Sequence, residues 1–130
     1  MIFLDTSFLV SFYINEEEDH PRANELMEKI KKEEKIISRI IIAETINLLN
    51  NKLKIDKHKI EETYTKLIED YTIIEDHYFY NNALRKTIEW EKRLPFFDFL
   101  IMSIMEELGI KEIATFDKHF DLNKNIKRIY

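Results

Sequence analysis

Met1-Ile2-Phe3-Leu4-Asp5-Thr6-Ser7 opens the chain with an apolar run, one acid and two hydroxyls. The run is short and continuous, the pattern of a strand buried on both faces in a parallel sheet. Asp5 then falls at the strand's carboxyl end, the edge where open α/β sheets bind ligands. A carboxylate there is either an N-cap for the helix that Ser7-Phe8-Leu9-Val10 begins, or the first wall of a site. The placement of the other acids decides between these readings.

Working outward, strands and helices alternate. Ser7 to Tyr13 reads as a short buried helix. Asp19-His20-Pro21 starts a second, with Ala23, Leu26, Met27 and Ile30 at helical spacing. Ile36-Ile37-Ser38 is a β-branched second strand. Arg39 to Leu53 carries Ile42, Ile46, Leu49 and Leu53 on one stripe, and Glu44 lies early in that helix. Asp56 caps a further helix with Ile60, Tyr64, Leu67 and Ile68 facing inward, before a third strand at Thr72-Ile73-Ile74. Asn81 to Glu91 is helical, with Leu84, Ile88 and Trp90 packing, until Leu94-Pro95 breaks it. A helix from Asp98 to Leu108 ends at Gly109, the only glycine, where a left-handed residue is wanted. Ile110 to Ala114 is a fourth strand, Lys118-His119-Phe120 a single helical turn, and Ile126 to Tyr130 a short edge strand. Such alternation predicts one α/β domain over residues 1–130 with a mostly parallel sheet. Right-handed crossovers then bring every strand-to-helix junction to one rim.

Composition narrows the function classes. The chain has 130 residues, enough for a real core, and no apolar run near the ~20 residues that span a bilayer. There is no cysteine, so disulfides and thiolate-held metals are excluded. The first residues lack the basic start and small-residue cleavage site of a signal peptide, so a cytoplasmic location is expected. A net charge of −5 argues against a nonspecific nucleic-acid coat, whose affinity comes from Lys and Arg. It leaves room for an enzyme whose acids are gathered in one metal-loaded pocket.

Four acids fall on the predicted rim. Asp5 ends the first strand and Asp117 the fourth, so the two can be neighbours where the strand order reverses. Glu44 lies in the helix after the second strand. Asp98 stands between Phe96-Phe97 and Phe99-Leu100, flanks too apolar for an ordinary loop. Each has a plain alternative: Asp98 as a helix cap, Glu44 as a polar residue on an amphipathic face, Asp117 as a turn residue with Asp121 an equal candidate. Together they point to one site. Carboxylates brought together repel, and a hard divalent cation such as Mg²⁺ or Mn²⁺ resolves the repulsion through oxygen ligands. Thr6, Ser7 and Thr115 are placed to orient carboxylates or metal-bound waters.

Four segments carry a resemblance to a known family. They are Phe3-Leu4-Asp5-Thr6-Ser7-Phe8-Leu9-Val10, Ile42-Ala43-Glu44-Thr45, Phe97-Asp98-Phe99-Leu100-Ile101 and Ile113-Ala114-Thr115-Phe116-Asp117-Lys118-His119-Phe120. In order and spacing the chain resembles PIN-domain proteins, most closely the small VapC-type toxin ribonucleases. The resemblance implies a Mg²⁺- or Mn²⁺-dependent endoribonuclease on a five-stranded α/β/α sandwich. It implies metal ligation by Asp5, Glu44, Asp98 and Asp117, a homodimer, an RNA substrate and a cognate antitoxin as partner. One departure is local: Phe97 and Phe99 flank the third acid, where the family often has a small or hydroxyl residue and Ala. A PIN nuclease of RNA maturation and a non-catalytic PIN-like binding module are the alternatives. Haloacid dehalogenase-type phosphatases fit worse, because Ser7 stands where they need a second Asp. Response-regulator receivers fit worse too, since only Asp5 is present of their acidic pair.

The chemistry expected is RNA phosphodiester hydrolysis by metal-activated water, with no side-chain general base. Arg39, Lys52, Lys54, Lys118 and Arg85 are the cations available for RNA, each also readable as solvated surface charge. Phe12 and Tyr13 are readable either as a groove for a partner helix or as core. His119, close to Asp117, is read as structural or surface.

Overall fold

The computed structural model describes residues 1–130. Five short strands, β1 (Ile2–Leu4), β2 (Lys35–Ser38), β3 (Thr72–Ile74), β4 (Glu112–Ala114) and β5 (Lys127–Ile129), form one sheet in the order β3-β2-β1-β4-β5. Every pairing is parallel, so the sheet is wholly rather than mostly parallel. Phe3 pairs with Ile36 on one side and Ile113 on the other. That central position explains the unbroken apolar run of β1, which is buried throughout.

Six helices cover the sheet: α1 (Thr6–Tyr13), α2 (His20–Lys29), α3 (Arg39–Asn47), α4 (Lys57–Asp70), α5 (Tyr80–Glu89) and α6 (Phe96–Leu108). The chain steps from β1 to β2 to β3 in one direction, then returns past β1 to β4. With right-handed crossovers, α1 to α4 lie on one face and α5 and α6 on the other. The result is a three-layer α/β/α sandwich. Its 29 buried apolar residues form one cluster, with β1, α1 and α6 supplying half of the largest side chains. No helix is long and apolar enough to cross a membrane.

Local chemistry sets the element ends. Asp56 caps α4, its carboxylate accepting the Lys59 N–H at 3.2 Å. Gly109 ends α6 at φ 71°, ψ 25°, and the Ile110 N–H returns to the Met105 carbonyl at 2.8 Å. The helix predicted over Arg39–Leu53 instead widens after Asn47, where the Leu53 N–H reaches back five residues to the Leu48 carbonyl. α6 starts at Phe96, directly after Pro95, so Asp98 is its third residue and not its cap. The expected inward packing of Leu84 and Ile88 is corrected. α5 turns Ala83 to the core, with Phe79 just before it buried and Trp90 just after it partly buried, and the row Tyr80, Leu84, Ile88 lies about 100° round the helix in solvent. Tyr64 is likewise exposed, because α4 buries the row through Thr63 and Leu67.

Candidate metal centre

Strand order reverses between β1 and β4, and the crevice outside their carboxyl ends is the rim that matters. The Asp5 N–H donates to the Ala114 carbonyl at 3.0 Å, which holds the two strand ends together. Asp5 occupies the N-cap position of α1 with an extended backbone, yet its side chain makes no capping hydrogen bond. Its Oδ2 instead accepts the Thr115 hydroxyl at 2.6 Å, across the strand gap.

Thr115 is fully buried and fully committed. Its only proton goes to Asp5, so the Ser7 hydroxyl, 3.1 Å away, must donate to Thr115 Oγ1. The Asp117 N–H also donates to Thr115 Oγ1 at 3.0 Å, and the Phe116 N–H donates to Ser7 Oγ at 3.0 Å. One hydroxyl therefore orients the first acid and fixes the backbone of the fourth.

Asp98 projects from the first turn of α6, and Asp117 stands just before the short turn Lys118–Leu122. His119 joins them: its Nδ1 is 2.9 Å from Asp98 Oδ2 and 3.3 Å from Asp117 Oδ1. One ligand atom from each of Asp98, Asp117 and His119 lies within 4.8 Å of the others. Glu44 points from the second turn of α3 and is half-buried, with Oε1 enclosed and without a hydrogen-bond partner in the protein.

The electrostatics tie the four acids together. Burial pushes the Asp5 carboxyl up to about 6; the Thr115 hydroxyl and Thr6 N–H pull it back, and the charges of Asp98 and Asp117 push further. Burial raises Glu44 to about 7, helped by the charges of Asp5 and Asp98. Asp98 is raised by burial and by Asp117, against the His119 hydrogen bond. No lysine or arginine forms an ion pair with any of the four.

A divalent cation suits this donor set. Three enclosed side-chain atoms lack a partner within the protein: Thr6 Oγ1 and Ser38 Oγ, at or just beyond the ends of β1 and β2, and Glu44 Oε1, in the second turn of α3. Oxygen-rich, under-neutralised and partly dehydrated surroundings are what a hard ion needs. Asp121, the other candidate beside Asp117, is held away in a two-pronged pair with Arg128.

Two residues escaped the sequence reading. His119 reads from the sequence as structural or surface, although its i, i+2 spacing from Asp117 is visible there. Asp76, buried after β3, accepts the Ile40 N–H at 2.6 Å and so anchors the start of α3 from 36 residues away. Of the two residues with alternative readings, Tyr13 is core, its hydroxyl bonded to that of Tyr71 at 2.6 Å, and Phe12 is partly buried against it. An open apolar groove of about 530 Å³ runs between α3 and α4 instead, lined by Ile42, Ile46, Ile60 and Tyr64. Arg39 is paired with Glu75 at 3.0 Å.

Comparison with curated protein sequences finds no match. Among solved structures, the chain is similar to VapC20 of Mycobacterium tuberculosis, described as a sarcin–ricin-loop-cleaving toxin, at 19% identity and a TM-score of 0.82 over 95% of each chain. It is similar to PAE2754 from Pyrobaculum aerophilum at 18% identity and a TM-score of 0.69, covering 98% of this chain and 87% of that one. It is also similar to FitAcB from Neisseria gonorrhoeae at 16% identity and a TM-score of 0.69, covering 100% and 97%. At these identities the likeness carries the fold. The family model described as PIN domain matches residues 2–125, nearly the whole sandwich and every acid of the rim. The chain belongs to the PIN domain family.

Proposed function

We propose that this protein is a Mg²⁺- or Mn²⁺-dependent endoribonuclease, the toxin of a type II toxin–antitoxin pair. What supports the reading is geometry: Asp98, Asp117 and His119 converge within 4.8 Å, Thr115 ties the Asp5 carboxylate to the Asp117 backbone, and no lysine or arginine forms an ion pair with Asp5, Glu44, Asp98 or Asp117. In this reading Asp5, Asp98 and Asp117 hold the principal ion, and Glu44 completes the site or holds a second. When bound, a divalent ion supplies Lewis acidity, lowering the pKa of a coordinated water and offsetting charge at the phosphodiester.

The chain's own residues do the rest. Thr115 keeps the Asp5 carboxylate aimed into the crevice, and Ser7 holds Thr115 by filling its second acceptor position. Phe99 and Leu100, fully buried directly after Asp98 in α6, anchor that turn of the helix in the core. Phe97, exposed beside Asp98 in the first turn of α6, offers a face on which a base of single-stranded RNA can stack. The toxin reading, with RNA as substrate, an antitoxin protein as partner and a homodimer as the working form, draws on family membership and on the likeness to VapC20.

The test is cleavage of RNA by the purified protein after chelation and after return of Mg²⁺ or Mn²⁺. Cleavage that returns with the ion and is lost in Asp5→Asn, with the fold intact, is the expected result. Unchanged cleavage by that variant rejects the assignment. Growth arrest on expression, relieved by a small protein encoded beside the gene, separates a toxin from an RNA-maturation nuclease.

A further inference from the structure

The four histidines are not alike. His20 is occupied, its Nδ1 2.8 Å from the Ser11 carbonyl and its Nε2 3.1 Å from the Asn24 amide. His119 is the only one whose ring contacts carboxylates, and the ring has no other hydrogen-bond partner in the protein. Its backbone is fixed by one of the same acids, because Asp117 Oδ1 accepts the His119 N–H at 2.9 Å. Asp117 thus builds the turn that carries the imidazole back towards itself and Asp98.

The spacing is informative. Donors at right angles around an ion, each about 2.1 Å from it, stand about 3 Å apart. The Nδ1 separations of 2.9 and 3.3 Å from the two carboxylate oxygens straddle that value. A nitrogen so placed can surrender its hydrogen bonds and face an ion without moving the helix or strand beneath it. The ring is 47% exposed, so no core packing resists a small rotation.

We propose that His119 Nδ1 is a direct ligand of the ion held by Asp98 and Asp117, and that it tilts the site towards later divalent transition ions over Mg²⁺. The proposal rests on the metal-dependent reading above. Mg²⁺ favours oxygen donors and gives up water reluctantly, whereas imidazole suits Zn²⁺, Ni²⁺ and their neighbours. An all-oxygen cup follows the general affinity order of divalent ions; adding one nitrogen steepens that order.

The experiment compares the full chain with His119→Ala and His119→Gln, each stripped by chelation and titrated separately with Mg²⁺ and Co²⁺. Calorimetry gives the affinities, thermal shift the stabilisation, and the visible spectrum of Co²⁺ the presence of nitrogen. The expected result is a fall in Co²⁺ affinity of about 10-fold or more in both variants, a Mg²⁺ affinity changed less than about 3-fold, and a changed Co²⁺ spectrum. Gln keeps a hydrogen-bond donor but not the imidazole nitrogen. If Gln restores Co²⁺ affinity and spectrum, His119 only positions the carboxylates and the ligand proposal is overturned. It is overturned equally if the ratio of Co²⁺ to Mg²⁺ affinity is the same in all three proteins, in which case the metal-dependent nuclease reading still stands. If the wild-type protein binds neither ion, both fall.

Discussion

Asp5 and Asp76 are equally buried, each 7% exposed, and each follows a strand onto the same rim of the sheet. Their surroundings are opposite. Asp76 takes the Ile40 N–H in the first turn of α3, where the unpaired amides and the helix dipole favour a negative charge. Asp5 makes no capping hydrogen bond to its own helix beyond the adjacent Thr6 N–H, accepts the Thr115 hydroxyl, and faces two further carboxylates. Burial therefore does not mark a site by itself. Asp76 found a counterpart within the fold and belongs to the scaffold. Asp5 and its companions found mainly one another, and a fold that keeps such a group keeps it for something it does not contain.

The largest expected effect exploits that contrast. Asp5→Asn should reduce ion-dependent cleavage by more than about 100-fold, since even partners behind the ligands cost 10–100-fold. The same change should stabilise the metal-free protein at pH 8. A carboxyl moved from 3.8 to about 6 carries a penalty of about 2–3 kcal/mol, which a neutral amide avoids. Asp76→Asn should do the reverse, losing about 1 kcal/mol as the acceptor of the Ile40 N–H keeps its place but not its charge, while cleavage per folded molecule holds. Denaturant unfolding in chelator, run beside the cleavage assay, measures both. Equal destabilisation by the two substitutions would erase the distinction between them.

The pH dependence sharpens it without mutation. Asp5 moves from 3.8 to about 6 on folding and Glu44 from 4.5 to about 7. A carboxyl with the higher pKa in the folded state holds its proton more tightly there, so stability is greatest below the unfolded value and is lost as pH rises to the folded one. Metal-free protein should therefore melt lower at pH 8 than at pH 5. Mn²⁺ should raise the melting temperature more at pH 8, where the cup is ionised. A profile flat from pH 5 to 8, with the same Mn²⁺ increment at both ends, would mean that neither burial nor the neighbouring charges raise these acids.

Thr115 links the two strand ends and should give an intermediate effect. Thr115→Val deletes the donor to Asp5 and the acceptor of the Asp117 N–H while keeping the shape. The expected loss is about 10–100-fold in Mn²⁺ affinity with about 1–3 kcal/mol of stability. Thr115→Ser should recover most of the affinity. A valine variant that takes up Mn²⁺ like the wild type would show that Asp5 needs no orienting hydroxyl.

Much of this is legible in the sequence. β1 could be read because a strand buried on both faces has no room for polar residues, and the end of α6 because Gly109 is the only glycine. The rim positions of Asp5, Glu44 and Asp117 follow from the strand–helix alternation, since a parallel sheet puts all its junctions on one side; Asp98, at the start of a helix that follows another helix, stands out only by its apolar flanks. Contacts that depend on relative placement were not legible. Asp76 serves a helix 36 residues earlier, and the His119 ring meets Asp98 across a 21-residue gap. Leu84 and Ile88 misled for a different reason: α5 carries two apolar rows, and Ala83, small enough to admit α6 closely, decides which row is buried.

The smallest expected effect concerns the acid that sequence could not separate from Asp117. Asp121 lies four residues further on, at the far end of the same turn, with Arg128 gripping both its oxygens at 2.9 Å. Those hydrogen bonds hold its carboxyl below the usual range, the opposite of what burial does to Asp5 and Asp98. An acid already neutralised this way offers little to an ion. Asp121→Asn keeps an acceptor for the guanidinium, so the Mn²⁺-induced rise in melting temperature and the rate of cleavage should both stay at wild-type values. Asp117→Asn, measured in parallel, should lose both. If the Asp121 variant weakens ion binding as Asp117→Asn does, then pairing with arginine is not what removes an acid from the site, and the line drawn between satisfied and unsatisfied carboxylates is in the wrong place.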